Sequence, residues 1–259
     1  MTNFPRTDQL EGAALVEVSL RGARFTDCDL SGVVMRAVEL RDVDIDAPWL
    51  LASETSVRIN GVDVVPLVRA ELERRFPGRA LMTADDPDGL RRAWEAVERA
   101  WSGVLERVST MPEGTVDVSV DGEWSFAQTQ RHLVLATDIW LRGAVLHVEQ
   151  PYHPLGLAFA GAEQFGLDMT VFDSGTPPYD DVLRARADRV AAVRGFIDTV
   201  PSEDLARECR NPWDAERRET VLSCLHTILH EEWEHLRFAV RDLDSIASSA
   251  AVSQEGRER

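Results

Sequence analysis

Between residues 10 and 45 the apolar positions recur every five residues. Leu10, Leu15, Leu20, Phe25, Leu30, Met35, Leu40 and Ile45 follow this spacing without a slip. A smaller residue stands two positions before each from the second onward: Ala13, Val18, Ala23, Cys28, Val33, Val38 and Val43. Neither a helix nor a plain strand has a period of five. A chain that turns a corner every five residues does, with the large and the small residue both pointing into a narrow core. Units of this kind stack into a solenoid. Cys28 falls in register and is expected to be a small buried thiol. Farther on the pattern changes. Asn60-Gly61 between alternating residues predicts a hairpin, and residues 66–76 a short helix before Pro77-Gly78. From Pro87 the spacing becomes helical. Trp94, Val97, Trp101, Val104 and Leu105 mark one face of a helix over about 87–109. Ser125 with Gln128 three residues later predicts the capped start of a second helix, running to about His147. Residues 150–178, rich in Gly and Pro, predict a long crossover loop. Two more helices are expected over about 179–199 and 220–246.

The five-residue repeat resembles the pentapeptide-repeat family, whose fold is a right-handed quadrilateral β-helix. About four repeats form one coil there, so only about two coils fit here, short for an independent solenoid. The expected fold is α+β and multidomain: a β-helix over 1–50, a strand and helix connector over 51–84, a four-helix bundle over 85–250 and a disordered tail over 251–259.

Composition narrows the function. The chain of 259 residues carries 28 basic and 45 acidic side chains, a formal charge of −17. Such a surface repels phosphate backbones and anionic lipid, so neither nucleic acid nor membrane is an expected partner. The sequence contains no lysine, which excludes a Schiff-base lysine and a phosphate-loop lysine. Three scattered cysteines without a CxxC pair, and no apolar stretch of about 18 residues, fit a reduced cytoplasmic protein.

The candidate chemistry lies in the last helix. Glu231 and His235, at i and i+4, share one face one turn apart. Oxygen from Glu and nitrogen from His suit zinc or nickel. His132 lies on an otherwise mostly apolar stripe with Ala136, Ile139, Trp140 and Gly143, so it faces inward and is the candidate third ligand. His226 and His230 form a second i, i+4 pair, expected on the solvent side. Glu232 falls near the core pole, where a carboxylate needs an Arg partner or a place beside the site. His153 reads as a packed loop residue and Cys224 as a structural thiol.

Trp124 to Leu133, which carries His132, followed by Glu231-x3-His235-Leu-Arg, resembles the DinB/YfiT-like superfamily of four-helix bundles. The superfamily includes metal-dependent thiol S-transferases and mycothiol-dependent maleylpyruvate isomerase. The resemblance implies one divalent ion per chain on His132, Glu231 and His235, and a mycothiol-like thiol as co-substrate beside an electrophile. A metal-dependent hydrolase on the same ligands remains an alternative. So does a non-catalytic protein that uses the repeat surface for interaction. A homodimer through the exposed end of the short solenoid is a further expectation.

Overall fold

The computed structural model describes residues 10–51, 55–214 and 216–255, with side chains to residue 250. The chain divides into two units between Asp46 and Ala47. The N-terminal segment 1–9 lies outside the described residues.

In the first unit the corners fall where the sequence places them. Gly12, Glu17, Gly22, Asp27, Gly32, Ala37 and Asp42 all have φ between 53° and 76°. This left-handed conformation recurs at every fifth residue. Glycine occupies three of the corners, where it carries no Cβ penalty. Tight turns close Leu10 to Ala13, Leu20 to Ala23 and Leu30 to Val33. The expected β-helix is not formed, however. No β-ladder joins the repeats among the described residues. The eight large apolar residues from Leu10 to Ile45 are 49% to 66% exposed. Two coils offer each layer a single neighbour, too little to enclose an interior. Cys28 is exposed for the same reason, which corrects its expected burial.

The second unit is mostly helical. A hairpin pairs β1 (Arg58–Ile59) with β2 (Val62–Asp63), turned by Asn60 and Gly61 at positive φ. Helix α1 spans Val65–Arg75, and a 3-10 turn spans Arg79–Thr83. Helix α2 spans Pro87–Ser109. Asp86 caps it, accepting from Gly89 N at 2.9 Å. Helix α3 spans Phe126–Thr137 and continues as a π segment over Asp138–Val145. Helix α4 spans Tyr179–Thr199, and α5 runs Val221–Glu255. A short antiparallel pair, β3 (Glu208–Arg210) and β4 (Arg218–Thr220), precedes α5. A disordered tail from residue 251 is therefore replaced by helix to Glu255, continuing through Ala247, Ala250 and Ala251, which favour it. Residues 256–259 lie outside the described residues.

Helix α2 packs on α4 and α5, and α3 packs on the same two, closing a ring of four. Inside it lie Leu90, Trp94, Val97, Leu133, Val193, Ile197, Leu225, Ile228, Trp233, Leu236 and Leu243. Among the described residues, two buried ion pairs tie α4 to its neighbours. Arg186 on α4 meets Glu232 on α5. Arg189 on α4 meets Asp138 at the start of the π segment, at 2.6 Å. Asp138 also accepts from His153 N at 2.8 Å, which draws the crossover loop against the helix.

The start of α3 shows the local rule most clearly. Ser125 Oγ accepts from Gln128 N at 3.3 Å, and Gln128 Oε1 accepts from Ser125 N at 2.9 Å. This reciprocal cap satisfies two backbone donors that the helix leaves open. Ser125→Ala is expected to cost about 1 kcal/mol. The melting temperature should fall by about 3 °C, checked by thermal unfolding.

Candidate metal centre

His132 lies in the second turn of α3, and Glu231 and His235 in the middle of α5. The packing of α3 on α5 brings the three together. One ligand atom from each lies within 4.8 Å of the other two. Among the described residues this is the group able to hold an ion in that way. Glu231 Oε2 is 3.5 Å from His132 Nε2 and 3.2 Å from His235 Nε2. The side chains are 12%, 22% and 12% exposed for His132, Glu231 and His235. The centre is thus sunk in the protein, with a small part of each side chain reaching solvent.

The orientation of His132 follows from hydrogen-bond chemistry. Its Nδ1 lies 3.2 Å from the Leu157 carbonyl. A carbonyl only accepts, so Nδ1 carries the hydrogen. That leaves Nε2 facing Glu231 and His235, the ring nitrogen that would ligate an ion in place of its contact with the carboxylate. Burial works to raise the Glu231 pKa. The hydrogen bonds from His132 and His235 outweigh it and hold the carboxyl well below the usual range. Burial also lowers the His235 pKa, which favours its neutral, ligating form. Two imidazoles and one carboxylate fit a borderline divalent cation.

Aromatic rings enclose the two histidines. The Trp124 indole centre is 4.5 Å from that of His132 and 5.9 Å from that of His235. Phe238 stands edge-on to His235 at 5.6 Å, with the Arg237 and Arg241 guanidinium groups over its face.

The crossover loop supplies Leu157, and Arg131 holds that loop. The buried guanidinium donates to the carbonyls of Leu155 at 3.0 Å, Gly175 at 3.0 Å and Asp173 at 2.5 Å. Three main-chain acceptors from two ends of one loop thus converge on the residue beside His132. Arg131→Met is expected to cost about 2–3 kcal/mol. Hydrogen exchange over residues 155–175 should quicken while that of α2 stays slow.

Glu232 meets Arg186, as its place near the core pole requires. Cys224 is fully buried, and burial pushes its thiol up to about 12, which fits a structural residue. The second histidine pair departs from expectation. His230 is buried, with its ring stacked on Trp49 at 4.2 Å. His226 is half-buried, with Nε2 2.8 Å from the Ala84 carbonyl. Both are covered by the segment preceding α2, which a view of α5 alone does not include. Three participants escape a reading of the sequence for ligands: Trp124, Arg131 and the Leu157 carbonyl. For Trp124 the signal was its place just before the helix cap. For a backbone carbonyl there is none.

A ring of helices with two imidazoles and one carboxylate converging from α3 and α5 defines a helical domain with a candidate metal centre. The family comparison agrees. The model of the DinB superfamily matches residues 96–239, more than half of the chain, and eight copies of the pentapeptide repeat match residues 9–45. The chain belongs to the DinB superfamily, with pentapeptide repeats preceding the DinB domain. No curated protein and no solved structure matches it. No helix among the described residues is long and apolar enough to cross a membrane.

Proposed function

We propose that His132, Glu231 and His235 hold one divalent ion, zinc or nickel, and that the protein activates a low-molecular-weight thiol of the mycothiol type for S-transfer or isomerisation. The observation that carries this reading is the convergence of three ligand atoms within 4.8 Å on two packed helices. A bound divalent ion with an open position lowers the pKa of a thiol or water and supplies a nucleophile near neutral pH. The chain's own residues prepare that position. Leu157 sets the tautomer of His132, Glu231 stays ionised, and Trp124 and Phe238 keep the imidazoles surrounded by apolar surface.

The test is turnover. Zinc- or nickel-loaded protein is incubated with mycothiol or a related small thiol and a panel of electrophiles, including cis-configured unsaturated acids. Thiol consumption, thioether product and cis-trans conversion are followed by mass spectrometry and absorbance. Metal-dependent turnover with a thiol supports the reading. Hydrolysis of an ester or amide without any thiol requirement would move it to a metal-dependent hydrolase. Stable metal with no turnover would leave a metal-containing interaction protein.

A further inference from the structure

We infer that Trp124 is a positioning residue that locks the two imidazoles in one geometry, and that the ion pair between Glu123 and Arg241 locks Trp124. This rests on the metal reading of His132, Glu231 and His235.

The two histidines come from different helices, and the Glu231 carboxylate meets each at its Nε2 edge without fixing the tilt of either ring plane. Trp124 bridges them. Its indole packs against His132 with an interplanar angle of 38° and against His235 with one of 23°. The rings of His132 and His235 are themselves only 4.7 Å apart, tilted by 56°. An aromatic surface against both limits how far either ring can turn about its side-chain bonds. Each turn would carry Nε2 away from Glu231.

Trp124 is held on both sides in the chain. Glu123 pairs with Arg241, one and a half turns beyond His235 on α5. The Glu123 carbonyl accepts from Ser119 Oγ at 2.5 Å. On the other side Ser125 is fixed by the reciprocal cap of α3. The indole is therefore anchored to the helix of His132 through Ser125 and to the helix of His235 through Glu123. A ring anchored to both helices keeps their relative placement and transmits it to the ligands. This is the work of an outer-shell residue, done here by an aromatic face instead of a hydrogen bond.

The experiment measures zinc affinity by competition with a chromophoric chelator, and the visible absorption of the cobalt(II)-loaded protein. Trp124→Ala is expected to weaken zinc binding by about tenfold and to change the cobalt spectrum. Trp124→Phe, which keeps an aromatic face, should retain affinity within about threefold. Glu123→Gln leaves the indole in place but releases its anchor, and should weaken binding by about threefold. That exposed substitution also carries the test if Trp124→Ala fails to fold. A merely structural Trp would lower the melting temperature of the metal-free protein without altering the cobalt spectrum. Zinc binding by Trp124→Ala equal to wild type, or by Trp124→Phe as weak as Trp124→Ala, overturns the inference alone. A wild type that takes up no zinc overturns the metal reading, and the inference with it.

Discussion

Replacing His132 by Ala is expected to strip the protein of its divalent ion. Wild type should hold about one per chain after loading with zinc or nickel, and the variant close to none. The reasoning follows from the donor set. Glu231 and His235 would remain, on one helix and one turn apart, but two donors leave most of the coordination shell to water. Loss of an outer-shell partner already costs about 10–100-fold in metal affinity, and loss of a direct ligand should exceed that. The fold should persist. His132 contributes a hydrogen bond to the Leu157 carbonyl, worth about 1 kcal/mol, and a contact with the Glu231 carboxylate, which stays partly open to water. Elemental analysis by plasma mass spectrometry, beside a thermal melt, separates the two effects. A variant that retains the full complement of metal would show that the ion sits elsewhere.

The largest loss of stability is expected from Arg186→Met. Glu232 is 1% exposed and its counter-charge is Arg186. Burial pushes the Glu232 pKa up, and Arg186 opposes it. With Arg186 gone, the carboxyl group must either stay charged without a partner or take up a proton inside the core. Breaking such a pair from one side costs about 3–5 kcal/mol, a fall in melting temperature of about 10 °C for a domain of this size. The double variant Arg186→Met with Glu232→Leu should recover most of it, because two apolar groups then replace two charges. Thermal unfolding of the single and double variants gives the answer. A single variant within about 2 °C of wild type would mean that the pair does not carry charge in the folded state.

Much of the helical unit can be read from apolar spacing. The limits of α2 and α4 coincide with those the sequence predicts, because capping residues and prolines mark their ends. His132 was legible as inward-facing because its neighbours on the stripe are apolar. Glu231 and His235 were legible by their spacing. What escaped has a common origin in contacts between distant segments. His230 is buried, and Trp49, far away in the sequence, stacks over it. The π segment holds a different register from the helix before it, and the buried Asp138 at its start is satisfied by Arg189 and by the crossover loop. Neither partner is visible from Asp138 itself. The repeats show the converse. Their period gives every corner, yet it says nothing of how many layers a closed interior requires.

The grip of Arg131 on the crossover loop has one more consequence. It grasps carbonyl oxygens, not side chains, and every amino acid offers the same carbonyl. His132 likewise reads only the backbone of Leu157. Exposed side chains of the loop, such as Glu163 and Gln164, can therefore be exchanged without releasing that hold, whereas Ala162 and Leu167 pack with Leu135 and Ile139 and cannot. Substitutions at exposed positions such as Glu163, Gln164 and Met169 would vary the surface of the loop while the centre stays as it is.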